Sequence, residues 1–194
     1  MHEQLIKYHY DLTPSMTKKE EDFLVERAVP MKFKKKETIV REGQICDHVY
    51  FINRGIMRSY YLIEGKEQVR RFYFENDYSY SFESFIQQVP SKLIIDALTD
   101  CEVFAISHKS IQEFYNFSSV FIDFARKLSQ NFYMFSSEKI ESFLLQDAKS
   151  RYLDLLENSP KIIRSIPNYM IASYLGITPE SLSRIKKEIA NGNK

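Results

Sequence analysis

Apolar positions change period along this chain, and the changes mark its organisation. Over residues 14–28, Phe23, Leu24 and Ala28 supply one face of a helix. Thr17, with Glu20 three residues later, makes a capping-box spacing, and Pro30 ends the segment. From residue 31 to 107 helical periodicity disappears. Short β-branched and aromatic runs replace it, at Ile39-Val40, Val49 to Ile52, Ile56 to Ile63, Val69 to Phe74, Leu93 to Leu98 and Val103 to Ile106. Gly43, Gly55 and Gly65 fall at the turns between them, and Glu64-Gly65 reads as a hairpin. Turn signals about every ten residues predict an antiparallel sandwich or barrel.

After Ser107 the helical period returns. Residues 108–116 predict a short helix and 118–143 a long one. On the long helix Phe121, Phe124, Leu128, Asn131 and Phe135 step by three and four, the spacing of a coiled-coil seam. A dimer seam is the favoured reading. The alternative is a helix packed on its own β-domain. A further helix, Gln146 to Leu156, leads through Asn158-Ser159-Pro160 to the last segment.

Asn168 to Lys187 has the pattern of a helix-turn-helix. Ile171, Leu175, Leu182 and Ile185 are placed to bury between two helices, and Ala172 is small where they must approach. Gly176 sits at the turn, where a positive φ costs least without a Cβ. Ile177 plugs the space below it. Thr178 can cap the second helix, with Pro179 at its first position and Glu180 in its first turn. That helix would expose Glu180, Ser181, Arg184, Lys186 and Lys187, the polar face a DNA reader lays in the major groove.

Charge agrees with this reading. The chain of 194 residues has net charge +1. From Lys161 onward six basic residues and two acidic ones give +4, which leaves −3 for the rest. A basic C-terminal module on a mildly acidic body suits phosphate contact by one end. Cys46 and Cys101 form no CxxC and belong to no paired Cys/His spacing of a zinc site, which points to a reducing compartment and away from a disulfide or zinc scaffold. No apolar run approaches a signal peptide or the roughly 20 residues of a membrane helix, so the cytoplasm is expected and no membrane partner.

The order of elements resembles the cyclic AMP receptor protein / fumarate-nitrate regulator (CRP/FNR) family. Three stretches carry the likeness: "IVREGQICDHVYFINRGIMRSYY", "IIDALTDCEVFAIS" and "IASYLGITPESLSRIKK". The resemblance implies an α+β fold. It would have an N-terminal antiparallel β-roll (jelly-roll-like, of the cyclic-nucleotide-binding type), a long dimerisation helix and a C-terminal helix-turn-helix, a reduced winged helix. The boundaries expected are 1–117, 118–145 and 146–194. It also implies a homodimer on pseudo-palindromic double-stranded DNA, with RNA polymerase as a further partner and a small-molecule effector of unknown identity.

The chain departs from the family at the nucleotide site. Glu83 stands for the ribose-binding Glu, but Phe82 precedes it in place of Gly. Ser91 and Lys92 fall where Arg-Ser would lie, and no arginine occurs between Arg71 and Arg126. A bidentate guanidinium–phosphate contact is therefore not available locally. Cyclic AMP is not expected, and no cofactor or metal is. A remnant effector pocket would use Ser81, Glu83, Ser84, Ser91 and Lys92, with Asn131 from the long helix. Pro179 stands where the family places an Arg, while Glu180 and Arg184 remain. The carboxylate can accept from cytosine N4, and the guanidinium can donate to guanine O6 and N7. Alternatively the two pair with each other at i,i+4. Ser173, Thr178 and Ser183 are candidates for capping or phosphate contact, and Lys186 and Lys187 for phosphate. Only seven residues follow the motif, so the family's final strands are not expected. No phosphate loop, metal-ligand spacing or nucleophile elbow appears, so an enzyme is not expected. The competing expectation is a ligand-binding or protein-interaction module with a vestigial helix-turn-helix.

Overall fold

The helices and strands run α1 (Glu3–Leu12), α2 (Lys18–Arg27), β1 (Val29–Phe33), β2 (Thr38–Val40), β3 (His48–Arg54), β4 (Met57–Ile63), β5 (Lys66–Tyr73), β6 (Tyr78–Ser79), α3 (Phe82–Gln87), β7 (Ile94–Ala97), β8 (Cys101–Ser107), α4 (His108–Phe117), α5 (Ser119–Leu145), α6 (Ala148–Asn158), α7 (Pro160–Ser165), α8 (Asn168–Tyr174) and α9 (Pro179–Gly192). The structure is a computed structural model and describes residues 2–192. The chain divides into two units. The first runs up to Tyr60 and resumes over Phe72–Phe132. The second takes Tyr61–Arg71 and the described residues from Tyr133 on.

The strands form two four-stranded antiparallel sheets, in the orders β1-β8-β3-β6 and β2-β7-β4-β5. Continuous apolar runs drive them together: Phe51, Ile52, Met57, Ile95 and Val103 are all buried in one continuous core. Gly55 is obligatory between β3 and β4. Its φ is +106°, and a Cβ there would lie 2.6 Å from the carbonyl oxygen of Asp100. The β4–β5 hairpin turns at Glu64 (φ 50°) and Gly65 (φ 76°), the two positive angles that match strand twist.

The predicted strands at Ile39-Val40, Val49–Ile52, Ile56–Ile63, Val69–Phe74, Leu93–Leu98 and Val103–Ile106 are present, with ends shifted by a few residues. Others carry weaker signals. In α1 the inward positions are Leu5 and His9, and a buried histidine disguises the face. Pro30 does not merely end a helix. It pairs with Phe104 in β1, at a sheet edge where a missing N–H is tolerated. The first predicted helix begins at Lys18, with the Thr17–Glu20 capping box formed as expected.

The seam read on α5 needs correction. Phe121 and Phe124 are buried within the chain's own first unit, and Leu128 packs on the same core. Phe121 lies 4.5 Å from the Phe114 ring, and Phe124 stacks on His9 at 3.7 Å. Aromatic side chains from α1 and α4 cover these two rings, as in the alternative reading of a helix packed on its own β-domain. Asn131 is exposed, and Phe135 lies under the Arg71 guanidinium at 4.4 Å. Several apolar residues of α5 that are exposed, Tyr133, Ile140 and Leu144, fall on the helix face opposite that row. They are 69%, 60% and 76% exposed.

In the second unit, α6 to α9 bury Leu155, Ile162, Ile166, Ile171, Leu175, Leu182 and Ile185 together. Residues 160–165 form a further helix, α7. No strand follows β8 among the described residues, and the module there is built of the helices α6 to α9.

Candidate functional site

The helix-turn-helix forms as the spacing predicts. The α8 helix ends at Tyr174, Gly176 takes φ +69°, and α9 begins at Pro179. Gly176 has a second reason to be glycine: a Cβ would meet Phe143 Cε1 at 2.7 Å. Thr178 caps α9, accepting from the Ser181 N–H at 3.2 Å. Leu182 and Ile185 face the core, while Glu180, Ser183, Arg184 and Lys187 are exposed. Among the described residues no ion pair joins Glu180 to Arg184, so the intrahelical pairing read from their spacing is not formed. The Glu180 carboxyl is held below its usual range by backbone N–H and the Thr178 hydroxyl. It is an acceptor and not a donor. Lys186 donates to Asn168 Oδ1 at 3.0 Å, which joins the start of α8 to the middle of α9.

Two basic side chains close the turn from below. Lys139 Nζ donates to the carbonyl oxygens of Tyr174 (3.4 Å) and Arg70 (2.9 Å) and lies 3.3 Å from the Tyr174 ring centroid. Arg151 donates to the Leu175 carbonyl at 3.1 Å and to the Gln146 carbonyl at 2.7 Å. The last carbonyls of α8 thus receive N–H donors from two basic side chains, the partners a helix C-terminus otherwise lacks. Burial and the Arg70 charge together lower the Lys139 pKa to about 7. Nothing in the one-dimensional pattern placed Lys139 or Arg151 at the turn.

Ser173 departs from expectation. Its hydroxyl accepts from the Val69 N–H at 2.9 Å and donates to the Glu67 carbonyl at 2.7 Å. Gln68 Nε2 donates to the Ser173 carbonyl. The hydroxyl is committed to the β4–β5 hairpin and does not face outward as a phosphate contact.

The remnant effector pocket is closed. Ser91 Oγ donates to Ser81 Oγ at 2.9 Å, and Ser84 Oγ donates to the Val89 carbonyl at 2.6 Å while accepting from the Cys46 N–H at 2.9 Å. All three serines are buried and satisfied. Glu83 and Lys92 do converge, but as a surface ion pair at 3.0 Å. Asn131 is exposed on α5 and makes no contact with them that the structure shows. Six residues read as one pocket are therefore a hydrogen-bonded plug, an external ion pair and a solvated helix position. Arg58 on β4 holds Asp96 on β7 by two 2.9 Å bonds. That guanidinium is paired by its own sheet. A separate apolar cavity of about 60 Å³, lined by Val49, Tyr78, Phe121 and Phe124, is too small for a nucleotide. No helix of the described residues is long and apolar enough to cross a membrane. No cluster among them could hold a metal ion.

Comparison with known proteins agrees with this architecture. Residues 30–116 match the family model of the cyclic nucleotide-binding domain. No curated protein matches the sequence. Among solved structures the chain is similar to FixK2 from Bradyrhizobium japonicum at 19% identity, covering 86% of each chain with a TM-score of 0.73. It is similar to a putative transcriptional regulator of the crp/fnr family from Eubacterium rectale at 17% identity, covering 95% of this chain and 88% of that one, TM-score 0.74. A third is CLP, a c-di-GMP responsive global regulator in Xanthomonas campestris, at 16% identity, 91% and 93% coverage, TM-score 0.71. At these identities the likeness carries the fold.

Proposed function

We propose that this chain, which carries a cyclic nucleotide-binding domain on the fold of the CRP/FNR regulators, is a DNA-binding transcription regulator that acts as a homodimer. One observation carries the reading. The α8–turn–α9 unit is capped and packed on one side, and on the other it exposes Glu180, Ser183, Arg184 and Lys187. In the bound complex α9 enters the major groove. Arg184 donates to guanine, Glu180 accepts from cytosine, and Lys187 neutralises phosphate. Ser181 is half-buried behind the Thr178 cap and helps to fix the entry of α9. Lys186 is shared between Asn168 and the backbone of the duplex.

Dimerisation uses the exposed apolar residues of α5, Tyr133, Met134, Ile140 and Leu144, in place of the inward phenylalanines. Pairing doubles the number of base contacts and sets a two-fold operator. The β-roll has lost cyclic AMP. The Ser81–Ser91 bond and the Lys92–Glu83 ion pair support this reading, since they occupy groups that would otherwise meet a phosphate.

Selection of duplexes from a randomised pool tests the proposal. The expected outcome is enrichment of a pseudo-palindrome whose binding weakens steeply with salt. Enrichment of no sequence, with or without cyclic AMP, would contradict it.

A further inference from the structure

The edge of a sheet exposes backbone N–H and C=O groups of alternate residues along one side. β5 is such an edge, and Val69 and Glu67 are two residues apart on it. A single hydroxyl from α8 serves both, since Ser173 Oγ takes the Val69 N–H and gives its proton to the Glu67 carbonyl. One side chain thus replaces one rung of a missing strand. Gln68, between them, returns a bond to the Ser173 backbone. The next β5 residue, Arg70, has its carbonyl tied by Lys139 to that of Tyr174, the residue after Ser173. Four consecutive hairpin residues are therefore fastened to two consecutive residues of the first helix of the helix-turn-helix.

These contacts leave the outer face of α9 free: Ser183, Arg184 and Lys187 are exposed while the bonds are made. The fastening holds the module without covering what would read DNA. We infer that Ser173 is a positioning residue for DNA recognition, a latch that holds α8, and through it α9, on the β4–β5 hairpin. It touches no DNA itself. This rests on the DNA-binding reading above and adds a residue to it.

Ser173→Ala is the test, since it deletes both hydroxyl bonds and keeps a good helix former at the position. Ser173→Thr, which keeps the hydroxyl, is the conservative rescue, and Gln68→Ala is an independent cut. Three readouts are taken on the full chain: hydrogen exchange at the Val69 amide, affinity for a duplex selected by the wild type from a randomised pool, and the salt slope of that binding. Ser173→Ala is expected to speed Val69 exchange at least about tenfold and to weaken DNA binding about tenfold, within the range two neutral hydrogen bonds carry. The salt slope stays unchanged, whereas loss of a phosphate contact would lower it by about one. Ser173→Thr restores affinity. Fast Val69 exchange with wild-type affinity would overturn the positioning role, as would a reduced salt slope. Unchanged Val69 exchange would overturn the latch. If the wild type selects no duplex, the DNA-binding reading fails and the positioning role falls with it, while Val69 exchange still reports whether the contact exists in solution.

Discussion

The Cε1 atom of Phe143 occupies the space where a Cβ on Gly176 would lie, at 2.7 Å. The end of α5 and the turn of the helix-turn-helix therefore need each other's shape. Gly176→Ala meets two costs: a left-handed φ of +69°, roughly 1–2 kcal/mol for an L-residue, and displacement of the Phe143 ring. Phe143 is partly exposed and can swing outward, so the φ cost dominates. The variant should melt a few degrees lower by circular dichroism. Gly176→Ala with Phe143→Ala should recover only the packing part. Full recovery would mean that the conformation of Gly176 matters little.

That contact also shows what the amino-acid pattern could convey. Gly176 was legible because turns punish a Cβ locally, as were the Thr17 and Thr178 caps and the short apolar strand runs. These signals lie within a few residues of one another. Phe143 against Gly176, Lys139 at the α8 terminus and Arg58 on Asp96 depend on residues 33 to 38 positions apart in the chain. The α5 seam failed for a related reason. A step of three and four gives the face of a helix but not the identity of what covers it, and rings on α1 and α4 cover Phe121 and Phe124. Ser173 was legible as polar and placed, but the β5 edge that claims it is over 100 residues earlier.

Lys139 should make stability depend on pH. Its pKa, lowered chiefly by burial, is about 7 in the folded chain against an ordinary 10.5. Between those values the unfolded chain holds a proton the folded chain lacks, so stability rises with pH, by up to about 1.4 kcal/mol per unit. It is lost again as pH falls toward 7. Lys139→Met removes the term, so its melting temperature should climb less than the wild type's from pH 7 to 10. Parallel curves would refute the buried-lysine account.

His9 acts in the acid range. It is buried, its Nε2 lies 2.8 Å from the Tyr78 hydroxyl, and desolvation lowers its pKa from 6.5 to about 3. The neutral ring is the folded form, so its contribution is complete above pH 6.5 and declines as pH falls toward 3. His9→Phe keeps the stack on Phe124 but strands the Tyr78 hydroxyl, costing roughly 1–3 kcal/mol at pH 7. In acid denaturation monitored by fluorescence, the wild-type advantage should shrink from pH 6.5 to 4. An advantage constant across that interval would contradict the assignment.

The oligomer is tested on α5. Ile140→Asp with Leu144→Asp places charge at two exposed positions, so folding should persist while self-association fails. Sedimentation velocity should give a dimer for the wild type and a monomer for the variant. Phe121→Asp, by contrast, should unfold the first unit, because that ring is buried within its own chain. A dimer that survives the α5 double variant would place the interface elsewhere.

The most direct test of the account is the effect of Arg184→Ala on sequence preference. The account predicts that the wild type selects a pseudo-palindrome and that the variant binds it more weakly by roughly 1–3 kcal/mol, with preference relaxed at one guanine in each half-site. Lys187→Ala should weaken binding evenly across sequences and lower the salt slope by about one. Arg184→Ala binding with unchanged affinity and unchanged base preference would contradict DNA reading by α9.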